Sequence, residues 1–474
     1  RWEKRAELLE PGAYAGLTFS FPKLQLNEYS NSLYLLGQTT RFSKRKNSNL
    51  RIDYSVWREF QPGTADSMAF YYAFYRRDNY FSNPLLGRIE SLRKNQKGIE
   101  NFLRYRMSRR ARLQLRTALS VGKVSIQRLE ANQLAASRNH DDFNFSNQVR
   151  FLWQSDRLQA SVELGMGESA VNYDIPDSTG FLPFSRRFAT LGYDIAERYT
   201  RFAHRLMYKW TSRDSLRFYV ELGKVEHDNS DQQNPDSYDE QKWQVALLHQ
   251  HRFNAFMTVI WEANVFLKHF VYLDASLSAQ NNWSRLFQFQ PTVRLHPGSG
   301  FLFQQRVGVR AQYVDFDFDR ASPVTNSYVI RDFYLADSLV SRLTSKISLL
   351  MHYRFEMEEL GTLNWRAFSS RPRSLWRNHW FNLSFAQDFN PRLNFTAGVI
   401  FYQQIRYQYL KGAGDDLILK KTGAHTNLGP AFQISYRAYN GSTLYFGGDR
   451  QKVSPFSGKS YYVNNLQLTV QWTF

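Results

Sequence analysis

Residues 464–474 read NNLQLTVQWTF. Leu466, Leu468, Val470, Trp472 and Phe474 alternate with Asn465, Gln467, Thr469, Gln471 and Thr473. Successive side chains of a strand point to opposite faces, so this segment has one apolar face and one polar face. The question for the whole chain is whether such apolar faces pack on a protein core or meet lipid.

The same pattern recurs throughout the chain. In RFAHRLMYKW (201–210), Phe202, His204, Leu206, Tyr208 and Trp210 share one face, and Arg201, Ala203, Arg205, Met207 and Lys209 share the other. In KISLLMHYRFEME (346–358), Ile347, Leu349, Met351, Tyr353, Phe355 and Met357 oppose Ser348, His352, Arg354, Glu356 and Glu358. Polar turns are expected at 45–50, 107–112, 154–158, 211–216, 251–256, 296–300, 343–346, 388–393 and 438–442, each between alternating segments. More variable connections fall between them, at 139–146, 226–240 and 410–423, with 80–98, 173–193 and 407–425 long enough to fold inward. Two strands per interval give about twenty strands, within a range of 18–22. That spacing is too wide for the strand rhythm of a small sandwich.

Composition narrows the solvent question. Aromatic residues make up 16% of the 474-residue chain, a composition suited to strands and to interfacial anchoring. No apolar run approaches the length of a spanning helix, which excludes a helical membrane protein but not a membrane barrel, whose alternating strands average to a polar hydropathy. There is no cysteine, which removes disulfides, thiolate metal sites, cysteine nucleophiles and covalently attached c-type haem within the chain. The formal charge is +19, from 61 Lys and Arg against 42 Asp and Glu. Such an excess points to an anionic lipid, solute or polymer. Nucleic acid is set aside because no compact basic helix or aromatic stacking surface is present.

The terminal Phe474, with Trp472, Val470 and Leu468 before it, resembles the signal read by the barrel-assembly machinery of bacterial outer membranes. With the alternating strands, the chain resembles the bacterial outer-membrane β-barrel superfamily from about Gly12 onward. The resemblance implies an all-β fold: a single transmembrane antiparallel up-and-down barrel with short periplasmic turns and longer extracellular loops. It implies an outer-membrane location, contact with outer-membrane lipid and lipopolysaccharide, and no enzymatic role. Residues 1–11 are expected as a short periplasmic segment and 12–474 as the barrel. A plug of the kind found in TonB-dependent transporters does not fit this length beside a full barrel. Trp153, Trp210, Trp243, Trp380 and Trp472 are expected to form membrane-interface girdles.

If the apolar faces meet lipid, the opposite faces line a lumen. The candidate lining residues are Arg104, Arg106, Arg112, Arg116, Arg201, Arg205, Arg217, Arg306, Arg310, Arg354, Glu356 and Glu358. Arg51, Arg150, Arg294, Arg392 and Arg437 join them, against the acids Asp53, Glu59, Glu163, Glu221 and Glu262. Guanidinium stays charged at any accessible pH, and rings of Arg favour anions. The resulting expectation is a porin-like channel favouring anionic solutes. Two alternatives stand beside it. One is a scaffold barrel that encloses or docks a partner protein, as in secretion, assembly or porin–cytochrome conduits. The other assigns the charges only to cross-strand ladders such as Arg217 with Glu221 and Arg354 with Glu356 and Glu358. No cofactor or metal site is expected. The acidic stretch 226–240 lacks the spacing of a calcium loop and reads as solvated. His204, His249 and His251 fall on apolar faces.

Overall fold

In the computed structural model the alternating segments are strands. The structure describes the chain except residues 1, 6–7, 27, 43–44, 81–88, 131–132, 174–193, 230–234, 320–325, 413–415 and 472–474. In chain order the strands are β1 (Trp2–Arg5), β2 (Leu8–Leu26), β3 (Tyr29–Phe42), β4 (Arg45–Gln61), β5 (Thr64–Tyr80), β6 (Ile89–Arg106), β7 (Ala111–Glu130) and β8 (Gln133–Gln154). Then follow β9 (Leu158–Tyr173), β10 (Ile195–Lys209), β11 (Asp214–Asn229), β12 (Tyr238–Arg252), β13 (Met257–Tyr272), β14 (Asn282–Gly298) and β15 (Phe301–Phe316). The last are β16 (Tyr328–Arg342), β17 (Ile347–Asn364), β18 (Ser369–Asn390), β19 (Leu393–Lys411), β20 (Leu417–Arg437), β21 (Thr443–Pro455) and β22 (Tyr461–Gln471). β1 pairs with the start of β2. The other 21 strands form an antiparallel up-and-down sheet.

The chain divides into two units. One holds residues 1–205, 221–242 and 270–278, and the other holds 206–220, 243–269 and 279–474. In the first, β2 through β9 pair each with the next. In the second, β14 through β22 do the same.

Local side-chain chemistry makes the short connections. At six of them one small polar side chain accepts backbone N–H groups, so the chain reverses without orphan donors. Ser108 takes Arg110 and Ala111, Ser155 takes Leu158, and Thr211 takes Arg213 and Asp214. Asn254 takes Phe256 and Met257, Thr344 takes Lys346 and Ile347, and Asn390 takes Arg392 and Leu393. Between β4 and β5 the turn is Pro62–Gly63, with Gly63 at φ 88°, which only glycine adopts freely.

Five expectations about connections need correction. Residues 139–146 lie inside β8 and are not a connection. Residues 45–50 begin β4, where they pair with 74–79 of β5, and are not a turn. The turn at Pro62–Gly63 was not among the expected turns. Within the stretches 80–98 and 407–425, residues 89–98, 407–411 and 417–425 belong to β6, β19 and β20. Of the expected loop 226–240, residues 226–229 and 238–240 belong to β11 and β12. The remaining long connection, 174–193, lies outside the described residues. So do Trp472 and Phe474 of the terminal motif. Residues 2–5 and 8–11, expected as pre-barrel segment, pair as strands.

Two rows in the second unit illustrate the two faces. One row in the second unit runs Leu339, Met351, Leu383, Val399 and Pro430 across five strands. A row on the other face runs Gln288, Arg310, Asp332, Glu358, Trp376, Arg406 and Gly423. The apolar face is exposed: Leu466 is 74% accessible, Leu17 68% and Leu428 51%. Among the described residues the buried hydrophobic set is ten Ala, Val and Leu side chains with no aromatic. That is not a core for a chain of this size.

Candidate functional site

The polar face carries the charge, and in each unit the charges are built into pairs, some between strands and some along one strand. In the first unit Arg201 of β10 forks between two carboxylates. Its Nη1 donates to Glu163 Oε1 at 2.9 Å and its Nη2 to Glu221 Oε2 at 2.8 Å. Arg150 Nε stands 3.9 Å from the same Glu163, which is almost wholly buried. Along this face Arg116 pairs with Glu100 at 2.6 Å, Arg51 with Asp53 at 2.8 Å and Lys94 with Asp142 at 2.8 Å.

In the second unit Arg310 pairs with Asp332, a carboxylate that is 4% accessible. Arg354 Nη2 reaches Glu356 at 3.3 Å, and its guanidinium lies 6.0 Å from the Tyr334 ring centroid. Tyr334 lies across Gly308, where a Cβ would come within 2.2 Å of the ring, so glycine there lets the ring lie against the wall. The Tyr334 hydroxyl donates to Gln290 Oε1, and Gln290 Nε2 donates to Glu262 at 3.4 Å.

The candidate lining residues therefore fall into two groups. Arg116, Arg201, Arg310 and Arg354 are held by acids, as is Arg51. Arg104, Arg112, Arg217 and Arg306 make no ion pair among the described residues. Arg106 donates to the Pro62 carbonyl at 3.2 Å and sits opposite Arg112 in the ladder. Arg205 follows Arg201 on the same face of β10. The proposed acid ladders were partly misassigned. Arg354 takes Glu356, whereas Glu358 lies opposite Asp332 across the β16–β17 ladder, and Glu221 takes Arg201. Glu100, Asp142 and Asp332 escaped the sequence reading because that reading followed Arg and judged acids one strand at a time. Glu100 and Asp332 meet partners on an adjacent strand, and Asp142 meets Lys94 two strands away, across β7.

Trp380 also needs correction. It stands in the row with Arg354 and Tyr402, on the polar face, with the His352 ring 4.7 Å away. The segment LWRNHWFN (375–382) places Trp376, Asn378, Trp380 and Asn382 together, and a Trp at one position does not reveal which face is wet. Trp153, Trp210 and Trp243 lie on the apolar face. Trp243 packs 5.8 Å from Trp283, and Trp283 stacks on His269 at 4.3 Å. Arg285 covers Trp283 and Trp365 at 5.2 Å and 4.2 Å. Trp283 sits beside the connection of β13 to β14 and Trp365 in the short connection of β17 to β18, and neither was among the expected interface aromatics. The histidines on apolar faces have a local reason. Asp214 Oδ1 is 2.6 Å from His251 Nδ1 and 3.4 Å from His249 Nε2, and Trp210 stacks on His249 at 5.5 Å.

No group of three or more His, Asp or Glu able to hold a metal ion occurs among the described residues. In the acidic stretch, Glu226 and Asp239 both take Lys224, at 2.5 Å and 3.4 Å.

No protein-family model and no curated protein matches the chain. Solved structures do. The ferric preacinetobactin receptor BauA of Acinetobacter baumannii is 11% identical, with a TM-score of 0.48, over 98% of this chain and 78% of that one. The ferric-catecholate import receptor Fiu of E. coli K12, in its closed form, is 9% identical, with a TM-score of 0.49, over 97% and 81%. The siderophore receptor PirA of A. baumannii is 10% identical, with a TM-score of 0.47, over 93% and 73%. These proteins are named as siderophore or ferric-ligand receptors. Their cargo is theirs; the likeness concerns strand architecture.

Proposed function

We propose that this chain is an integral outer-membrane β-barrel, closed on itself, that passes small solutes, preferentially anions, through a polar interior. The exposed apolar face carries this reading. A water-soluble monomer of 55.9 kDa exposes roughly 18,000 Å². This chain exposes 31391 Å², with large hydrophobic side chains repeated along the apolar face of strand after strand. In water such a surface drives aggregation. In a bilayer it is the required surface, and closure follows because an open sheet edge in hydrocarbon leaves backbone N–H and C=O groups unpaired.

The polar face then lines the passage. Paired charges hold the wall together, and the unpaired guanidiniums of Arg104, Arg112, Arg217 and Arg306 supply a fixed positive field. The test is conductance of the purified protein in a planar bilayer, with the reversal potential read in a potassium chloride gradient. Anion-selective steps are expected, weakened or reversed by Arg306→Glu without loss of membrane insertion. Silence of the purified protein together with a co-purifying partner would replace this reading with a scaffold. Unchanged selectivity in Arg306→Glu would remove Arg306 from the path.

A further inference from the structure

We propose that the polar face of β18, β19 and β20 holds a binding site for an acidic saccharide, a sugar ring bearing a carboxylate. The proposal rests on the transport reading above and names the solute class of that same face.

A cavity of about 500 Å³ opens there, lined by Tyr402, Gln404, Arg406, Gly423, Ala424, His425 and Phe456. Its volume falls within the range of small-molecule sites. Arg406 is its cation. The guanidinium lies 5.3 Å from the Trp376 ring centroid, and Nε donates to Gln404 Oε1 at 2.9 Å. Those two contacts fix the plane of the fork, and no carboxylate among the described residues pairs with it. The terminal nitrogens are thus left for an incoming anion, and a planar fork matches a carboxylate in bidentate fashion. Gly423, opposite Arg406 in the ladder, adds no side chain to block the approach.

The rest of the cavity offers rings and amides. Tyr402 and His425 meet edge to face at 6.2 Å, and Phe456 lines the opening. Asn378 holds Gln404 through a 3.1 Å hydrogen bond. A sugar presents C–H faces to aromatic rings and hydroxyls to amides and imidazole, so it uses both. A neutral sugar leaves Arg406 unmatched. An aromatic carboxylate satisfies Arg406 and the rings but buries the amide and imidazole against carbon, which is costly. The combination therefore favours the acidic saccharide over either.

Isothermal titration of the detergent-solubilised full chain with D-glucuronate, digalacturonate, D-glucose and benzoate tests the site. Saturable uronate binding is expected, at least tenfold tighter than glucose or benzoate. Arg406→Gln should weaken it more than tenfold, and Arg406→Lys, which keeps the charge but loses the fork, should also weaken it. Heat-modifiable migration in gels verifies that both variants are folded. Equal binding of glucose or benzoate, absence of uronate binding, or a folded Arg406→Gln protein with unchanged affinity would overturn the proposal. The two readings separate cleanly. Uronate binding by a protein that is silent in bilayers sinks the channel and keeps the site, whereas conductance without uronate binding does the reverse.

Discussion

Placing an arginine at Leu428 and, separately, at Gln433 tests which solvent each face of the sheet meets. Both positions lie on β20, five residues apart and on opposite faces. Leu428 stands in the row Tyr353, Phe381, Phe401 and Leu428, half exposed, near the middle of a 21-residue strand. Gln433 lines a cavity of about 760 Å³ on the polar face, where Asp449 is also present. If the apolar row lies in hydrocarbon, Leu428→Arg costs about 2–4 kcal/mol, the value for arginine near a bilayer midplane. That is roughly a 30- to 800-fold fall in the folding constant. Gln433→Arg enters a wet, roomy face with a carboxylate nearby and should change stability by less than about 0.5 kcal/mol. If water bathed both faces, Leu428→Arg would also be an ordinary surface change of that small size. The assay is reversible urea titration of folding into liposomes, followed by tryptophan fluorescence. A difference between the two variants below about 1 kcal/mol refutes the assignment of faces and, with it, the membrane reading.

Three further outcomes follow from specific contacts. Arg201→Met strands the buried Glu163 with only Arg150 at 3.9 Å and should cost about 3–5 kcal/mol in the same titration, most of it recovered by Arg201→Met with Glu163→Leu. Arg310→Gln orphans the buried Asp332 and should cost a similar amount while moving ion selectivity less than Arg306→Glu does, as bilayer reversal potentials would record. In the β13–β14 connection, Asp274 accepts the Ser276 amide at 2.7 Å, and hydrogen bonds from Ser276 hold its carboxyl below the usual carboxylate range. A depressed pKa stabilises above the unfolded value of 3.8 and is lost as pH falls through the lower folded value. Amide-exchange protection factors of residues 275–280, corrected for intrinsic rates, should therefore fall on acidification below that value, and Asp274→Asn should remove the pH step.

The strands were legible because each depends on local alternation, which survives in a single sequence. RFAHRLMYKW and KISLLMHYRFEME became β10 and β17 with the faces that their spacing predicts. Strand ends were less legible. Polarity at 45–50 resembled a turn because a wet strand face and a turn draw on the same residues. The actual signal was finer: one Ser, Thr or Asn placed to accept the amides two and three residues on, as at Ser108, Thr211, Asn254, Thr344 and Asn390. Such a residue is a turn only if the chain reverses there, and alternation on both sides is what tells the cases apart.

The site was harder to read because its chemistry is perpendicular to the chain. Arg201, Glu163 and Glu221 lie on three strands, and nothing in the sequence near 201 names its partners. Register supplies them, and register is set by turns that the sequence only partly marks. This also explains why counting inward charges misjudges a lumen. A guanidinium held between two carboxylates contributes rigidity and little net field, since the opposite charges cancel within a few ångströms. On the proposed channel reading, the field that an ion would sense comes from the arginines whose register gives them no acid: Arg104, Arg112, Arg217, Arg306 and, beside its cavity, Arg406. That reading assigns selectivity and stability to different members of one residue type, so a substitution that alters one property need not touch the other.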